Sequence, residues 1–240
     1  MPNGKLILIR HGQTAWARDG FYTGRTNLPL TELGQAEAIA ARKNLYDINS
    51  KIVFVSPLKR AQQTAQLIGL VDYITEPLIQ EMDYGPAEGR SVSEMTKAKT
   101  RYWGKDKGLW NLFNDGVFFG TAFLGAVPED RIVFDEEVDE KIKVSVLSGE
   151  TIQEVAGRAQ RMIYKVLPHL YKGQDVVLVA HAHFLRFLTS QWLEIHPKKA
   201  ESLFLNTASV SILKLGSNGE KFIYAWNRTP KSQIVNNKTK

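Results

Sequence analysis

Three short hydrophobic segments without polar alternation predict strands that are buried on both faces of one sheet. They are residues 6–9, 52–56 and 176–180, and all three contain β-branched side chains. Each is followed by a turn and then by a helical pattern. This alternation predicts the α/β class with a three-layer α/β/α sandwich, in which the crossover connections are right-handed.

Four helices and a hairpin are predicted around these strands. Thr31 is an N-cap for a helix to about Asp47, and Pro57 precedes a second helix. Thr151 and Glu154 form a capping box, and we expect that helix to end before Pro168. A fourth amphipathic helix follows residue 183, and residues 210–215 and 222–226 flank a Gly-Ser-Asn-Gly turn. The predicted buried face of the first helix is Leu33, Ala36, Ile39 and Ala40, and that of the second is Ala61, Thr64, Ala65 and Ile68.

Residues 86–148 depart from the strand–helix alternation. Residues 102–123 contain seven aromatic side chains and four glycines, and an acidic run follows at 135–140. We interpret 86–148 as an inserted cap that folds over the site, because long structureless connections are uncommon in compact domains. A surface excursion with its own small core, or a dimer contact, is the open alternative. The predicted organisation is one domain over 1–228 and a basic polar tail over 229–240.

Composition narrows the chemistry that the chain can carry. The 240 residues are 43% hydrophobic and 23% charged, which is typical of a folded domain. The chain has no cysteine, which excludes disulfides, thiolate catalysis and cysteine-ligated metals. The sequence has neither a secretory hydrophobic region nor a membrane-length apolar run, so we predict a cytoplasmic protein without a membrane partner. Part of the net charge of +6 lies in the tail, so we predict no nucleic-acid partner and an anionic small-molecule substrate.

The ends of the three predicted strands deliver two histidines and two arginines to one region. Arg10 and His11 follow the first strand, Arg60 lies just after the second, and His181 follows the third, with His183 two residues later. Carboxyl ends of parallel strands share one sheet edge, where α/β proteins bind their ligands. Each residue alone has an ordinary structural explanation, but together they indicate a site.

These side chains suit phosphoryl transfer without a metal. Guanidinium groups bind phosphate oxygens, and a neutral imidazole can attack phosphorus to form a phosphohistidine that water then hydrolyses. Glu81 and Glu88 are candidates for the acid that protonates the leaving group. We expect the arginines and a second, protonated histidine to stabilise the negative charge that develops on the phosphoryl oxygens.

An ordered set of motifs gives the chain a family resemblance. The set is Arg10-His11-Gly12-Gln13-Thr14, Thr23-Gly24, Leu30 to Ala36, Ser56-Pro57 with Arg60 and Thr64, Glu81 with Gly85 and Glu88-Gly89, Gly149-Glu150-Thr151, and Ala180-His181 with Leu185-Arg186. It resembles the histidine phosphatase superfamily, also called the phosphoglycerate mutase-like family. The segment from Phe204 to Ser209 resembles the sugar-phosphatase branch with sedoheptulose-bisphosphatase-like members.

The resemblance implies a role for each matching residue. His11 would be the phosphorylated nucleophile, Arg10 and Arg60 would hold the phosphate, and His181 would be the second pocket histidine. Glu81 matches the proton donor, whereas Glu88 matches a peripheral position and Arg186 one that ties helix to sheet. The predicted substrate-binding residues are Arg10, Gln13, Thr14, Thr23, Gly24, Arg60, Ala182 and His183, and neither a metal nor a cofactor is implied. The implied fold is the phosphoglycerate mutase-like sandwich.

Three positions depart from the family pattern. Ala17 stands where many members have an asparagine that contacts phosphate, Ala182 replaces a glycine, and Ala87 replaces a tryptophan. These differences concern substrate choice more than catalytic competence. We therefore predict a metal-independent phosphomonoesterase for small, sugar-type phosphates, with a homodimer left open.

Three other functions compete with this prediction. A phosphoglycerate mutase would grip a carboxylate, which we expect Asp83 at the mouth of the site to repel. A metal hydrolase would use His181 and His183, but no Asp/Glu cluster accompanies the pair. A non-catalytic phosphate-binding module would retain the pocket without turnover.

Overall fold

The computed structural model describes residues 3–45, 51–103, 108–117, 134–135, 140–141 and 149–229. The strands are β1 (Lys5–Arg10), β2 (Ile52–Val55), β3 (Ile74–Thr75), β4 (Phe134–Asp135), β5 (Glu140–Lys141), β6 (Val176–Ala180), β7 (Val210–Leu215) and β8 (Lys221–Arg228). The α-helices are α1 (Ala15–Asp19), α2 (Glu32–Ala41), α3 (Lys59–Ile68), α4 (Val92–Trp103), α5 (Leu112–Asp115), α6 (Ile152–Tyr171) and α7 (Ala182–Trp192).

Six strands form the central sheet, in the order β3-β2-β6-β1-β7-β8. The first four are parallel, whereas β7 is antiparallel to β1 and β8 is antiparallel to β7. In this register Arg10 lies opposite Ala180, at the carboxyl ends of β1 and β6. The three predicted strands are therefore neighbours, and their ends meet at one edge of the sheet.

Hydrophobic cores lie on the two faces of this sheet. One contains α6 and α7 packed against residues such as Leu6, Leu8 and Leu178, and the other contains α2 and α3 packed against Ile7 and Val179. Neighbouring strand residues point to opposite faces, so a strand covered on both sides is apolar throughout. The predicted mixed α/β sandwich is confirmed.

The predicted buried face of α2 is wrong. Leu33 and Ile39 are 57% and 55% exposed, whereas Gly34, Ala38 and Ala41 are buried. A Cβ on Gly34 would lie 2.1 Å from the carbonyl oxygen of Gln13, so only a residue without a side chain permits this approach to the loop after β1. The helix turns towards its smallest residues because close backbone packing outweighs burial of the larger ones. Of the predicted face, Ala36 is exposed and Ala40 is half-buried.

The predicted end of α6 is also wrong. The capping box of Thr151 and Glu154 is present, but the helix continues through Pro168 to Tyr171. Val166 and Leu170, on either side of the proline, are completely buried. Their packing holds the last turn despite the hydrogen bond that proline removes. The predicted α3, α7 and C-terminal hairpin are confirmed, and β8 reaches Arg228.

The described part of the predicted insertion packs into the main core instead of forming a core of its own. Met95 of α4, Trp110 and Phe113 of α5 all belong to the core beneath α6 and α7. The Trp110 ring lies 5.2 Å from that of Tyr22, and Phe113 lies 5.6 Å from the ring of His183. The aromatic residues at 118, 119 and 123, the middle of the acidic run and tail residues 230–240 lie outside the described residues, so the cap and the domain boundaries stay predictions.

No helix within the described ranges is both long and apolar enough to span a bilayer.

Candidate active site

A cavity of about 320 Å³ opens at the carboxyl edge of the sheet, where β1 and β6 end. It brings together seven of the predicted site residues, namely Arg10, His11, Thr14, Thr23, Glu81, Ala182 and His183. Its wall also contains Ala17, one of the departures from the family pattern. The volume fits a phosphate group with a small leaving group.

His11 is held in one orientation by the backbone around it. The backbone N–H of His11 donates to the carbonyl of Ala180 at 3.0 Å, and the backbone carbonyl of His11 accepts from the N–H of Ala208 at 3.0 Å. The ring Nδ1 lies 2.7 Å from the carbonyl oxygen of Gly12, which only accepts hydrogen bonds. Nδ1 therefore carries the proton of the neutral ring, and the lone pair is on Nε2.

Burial keeps His11 neutral, and the positive charges of Arg60 and Arg10 add to this effect. Together they lower the pKa of His11 well below its ordinary value. A neutral imidazole with a free lone pair is the nucleophilic form of histidine.

His181 lies beside His11, but it is completely buried and does not line the cavity. The two ring centroids are 5.1 Å apart. Nδ1 of His181 accepts from Arg60 Nε at 3.2 Å, so the ring proton is on Nε2, which donates to Ser56 Oγ at 2.7 Å. Burial, followed by the charge of Arg60, lowers the pKa of His181 well below its ordinary value. The expectation of a protonated second histidine is therefore wrong, because an arginine donor occupies the nitrogen that would take the proton.

Arg60 is completely buried and does not line the cavity. Its guanidinium donates to the carbonyls of Thr26 at 2.9 Å, Thr23 at 3.0 Å and Gly24 at 2.8 Å. Burial lowers the pKa of Arg60 to about 10, which leaves it charged at neutral pH. Glu88 accepts from the N–H groups of Gly24 and Thr26. Arg60 therefore binds the carbonyls of this loop, and Glu88 binds its N–H groups.

Arg10 lines the cavity, and a backbone carbonyl holds its guanidinium. Nη1 donates to the carbonyl of Leu205 at 2.6 Å, which fixes the direction of the side chain. Nε is buried without a hydrogen bond to any described residue. The guanidinium keeps its positive charge beside the cavity, so it can attract a phosphate oxygen there.

Glu81 lines the cavity with its carboxylate seated at the start of α7. Oε1 accepts from the N–H groups of Met82 and Phe184, both at 2.9 Å, and Oε2 accepts from the N–H of His183 at 3.1 Å. Oε2 keeps a second lone pair, which is the position where this side chain can carry a proton.

Like Arg60, the predicted binding residues Gln13 and Gly24 do not line the cavity. The Gln13 side chain accepts from Thr31 Oγ1 at 3.0 Å, in the direction of α2. The N–H of Gly24 donates to Glu88 as described above. Both residues shape the loops next to the site.

Asp83 does not sit at the mouth of the cavity, contrary to the sequence prediction. It is buried, it does not line the cavity, and its carboxylate accepts from the N–H of Gly85 at 2.8 Å. The electrostatic objection to a carboxylated substrate therefore disappears. Glu81 is the acidic side chain among the described residues that line the cavity.

Among the wall residues that sequence reasoning did not assign to the site, three carry polar side-chain groups, namely Tyr22, Tyr84 and Arg186. The Tyr84 hydroxyl lies 2.5 Å from His183 Nδ1. Arg186 donates to the carbonyls of Ala200 at 2.9 Å and Glu201 at 2.7 Å, so it anchors α7 and also reaches the cavity. A signal existed for Arg186, because it lies three residues after His183 and so shares its helix face.

The described residues give a metal site no support. No group of three or more His, Asp or Glu side chains in the described ranges could hold a metal ion. Both ring nitrogens of His181 are engaged, with Arg60 and Ser56. The alternative metal hydrolase, in which His181 and His183 would bind the ion, therefore lacks free ligand atoms on His181.

The three neutral histidines predict a steep loss of stability in acid. Burial lowers the pKa values of His11, His181 and His183 below the ordinary value of 6.5, so below about pH 6.5 the unfolded chain binds more protons than the folded protein. The free energy of unfolding should fall by up to about 4 kcal/mol per pH unit there, at roughly 1.4 kcal/mol for each proton. Urea unfolding between pH 7.5 and 5.5 measures this slope. His183→Gln should reduce this slope by the contribution of about one proton, whereas replacement of the exposed His196 by Gln should leave the slope unchanged. Equal slopes in all three proteins would contradict the assignment.

Known proteins match both the sequence and the fold. The model for the histidine phosphatase superfamily (branch 1) matches residues 6–116 and 125–229. An acid phosphatase of Mycobacterium tuberculosis is 27% identical over 212 residues, which is 88% of this chain and 86% of that protein. Sedoheptulose 1,7-bisphosphatase of Saccharomyces cerevisiae is 26% identical over 83% of this chain and 71% of its own length. A 2,3-bisphosphoglycerate-dependent phosphoglycerate mutase of Bartonella quintana is 31% identical over 76% of this chain and 78% of its own.

A solved structure of an open-reading-frame product from Mycobacterium tuberculosis superimposes with a TM-score of 0.75 and 26% identity, covering 95% of this chain and 99% of that one. The phosphoserine phosphatase of Entamoeba histolytica shares the fold with a TM-score of 0.68, at 22% identity and with coverage of 94% and 98%. The family match covers most of the chain and includes the strand ends that form the cavity. The protein is a phosphatase-type enzyme that belongs to branch 1 of the histidine phosphatase superfamily.

Proposed function

We propose that the protein is a metal-independent phosphomonoesterase that hydrolyses small, sugar-type phosphates through a phosphohistidine on Nε2 of His11. The observation that carries the proposal is the hydrogen bond from His11 Nδ1 to the Gly12 carbonyl in a neutral, buried ring. It leaves one nitrogen available to phosphorus. The cavity and the guanidinium of Arg10 that lines it supply the space and the positive charge that a phosphate needs.

The first half-reaction transfers the phosphoryl group to His11. Nε2 attacks phosphorus, the bond between phosphorus and the ester oxygen breaks, and that oxygen takes a proton from Glu81 Oε2. The ring then carries substituents on both nitrogens and a positive charge. The Gly12 carbonyl accepts from Nδ1–H and stabilises this charge as it forms.

The second half-reaction returns the site to its starting state. Glu81, now a carboxylate, takes a proton from a water molecule as that water attacks phosphorus. The bond to His11 Nε2 breaks, its electron pair returns to the ring, and inorganic phosphate leaves. Glu81 ends protonated, so protons and charge balance over the cycle.

The leaving-group side of the cavity supports a small oxygen-rich substrate. Tyr22 and Tyr84 supply aromatic surface, and His183 and Arg186 add polar groups. One relative is a sugar bisphosphatase and another an acid phosphatase, which favours hydrolysis. Mutase relatives at about this similarity make phosphoryl return to substrate the outcome to test against.

Replacing His11 tests the proposed function. His11→Ala should abolish phosphate release from sugar phosphates, phosphoglycerates and nucleotides, because alanine has no ring nitrogen to attack phosphorus. The exposed His196→Ala is the matched control and should retain full activity. Activity of the unmodified enzyme should survive a chelator. Undiminished turnover by His11→Ala would contradict the mechanism, and isomerised phosphoglycerate without phosphate release would indicate a mutase.

Replacing Glu81 tests whether this residue is the acid that protonates the leaving group. Glu81→Gln should lower kcat for alkyl phosphates by about a hundredfold or more, because an alkoxide needs the proton. The same variant should lower kcat for p-nitrophenyl phosphate by only a few-fold, because p-nitrophenolate leaves without it. Steady-state rates on both esters give the ratio. Equal losses on the two esters would move the acid role to another side chain.

A further inference from the structure

The segment that carries Glu81 is held by an ion pair, of which the sequence motifs included Glu150 but not Arg158. Arg158 lies on α6, and Glu150 lies two residues before that helix begins. Nε and Nη2 of Arg158 donate to the two carboxylate oxygens of Glu150 at 2.6 and 2.8 Å. Both side chains are largely buried, at 11% and 16% exposed. A forked pair of this kind fixes direction as well as distance.

Arg158 binds the backbone on the N-terminal side of Glu81. Nη1 donates to the carbonyl of Leu78 at 2.6 Å and to that of Gln80 at 3.1 Å. Its guanidinium also lies 5.2 Å from the centre of the Phe184 ring. The N–H of Phe184 is one of the donors to Glu81, so Arg158 contacts both the segment and its seat on α7.

Glu150 binds the backbone on the C-terminal side of Glu81. Its Oε2 accepts from the N–H of Asp83 at 2.8 Å, and its own N–H donates to the Asp83 carbonyl at 2.9 Å. Glu81 thus lies between two points that are tied to one ion pair. Arg25 adds a second cation, 3.6 Å from Glu150 Oε2.

We propose that Arg158 and Glu150 are positioning residues for the proton donor, holding the 78–83 segment so that Glu81 Oε2 reaches the ester oxygen of the substrate. This inference rests on the proposed function, in which Glu81 is the acid. Neither residue lines the cavity, so neither acts on the substrate directly. Proton transfer is sensitive to displacements of about 1 Å, whereas attack by His11 depends on a different loop.

The experiment compares two esters in a set of variants. Arg158→Gln removes the charge and the fork, so kcat should fall about tenfold or more for an alkyl phosphate and less than about twofold for p-nitrophenyl phosphate. Arg161→Gln is the matched control, because Arg161 is exposed and lies three residues along the same helix. It should match the unmodified enzyme on both esters. KM should change little in either variant.

Two further variants separate positioning from general stability. Arg158→Lys keeps the charge but cannot bind Glu150 and both carbonyls at once, so it should restore part of the alkyl phosphate rate. Glu150→Gln should show the same selective loss, and the double variant should be no worse than Arg158→Gln alone, because both changes break one unit. If Arg158→Gln fails to fold, the same comparison of the two esters can be made with Arg158→Lys and Glu150→Gln.

Each outcome distinguishes the two proposals. Equal losses on both esters in the Arg158 and Glu150 variants, with a selective loss in Glu81→Gln, would overturn the positioning role and leave the proposed function intact. A non-selective loss in Glu81→Gln itself would overturn the acid assignment on which the positioning role rests. Additive losses in the double variant would also contradict the single unit.

Discussion

A guanidinium without access to water must find hydrogen-bond acceptors inside the protein, and Arg60 imposes this constraint on the whole site. Its guanidinium donates hydrogen bonds to the carbonyls of Thr23, Gly24 and Thr26 and to one ring nitrogen of His181. The loop after α1 is thereby fixed against α3, and Glu88 secures its N–H groups. The shape of one cavity wall follows from satisfying a single buried charge.

Burial, reinforced by the same charge, keeps the histidines neutral. With Arg60 donating to His181 and Arg10 close to His11, a second positive charge on either ring is unfavourable. The rings are neutral, and their tautomers are set by the Gly12 carbonyl for His11 and by the Arg60 donor for His181. Positive charge for the phosphate therefore comes from arginine, and histidine is left free to act as the nucleophile.

The sequence was most informative where buried strands lead directly into polar residues, because parallel strands with a common edge bring such residues together. The sequence was least informative about the direction in which individual side chains point. Arg60 matches a phosphate-binding position, but the structure turns its guanidinium into the protein, as only tertiary contacts can decide. The small-residue face of α2 and the passage of α6 through Pro168 also depend on packing between distant segments. Arg158 carried no local signal, since the carbonyls of Leu78 and Gln80 that it binds lie 80 and 78 positions away.

The central claim is that a neutral His11 attacks through Nε2 because the Gly12 carbonyl holds Nδ1–H. The most direct test is to mix enzyme labelled with nitrogen-15 histidine with excess substrate, to quench in alkali and to locate the phosphoryl group by phosphorus–nitrogen NMR. The account predicts a phosphoryl group bonded to Nε2 of His11. A phosphoryl group on Nδ1, or on any other side chain, would contradict it.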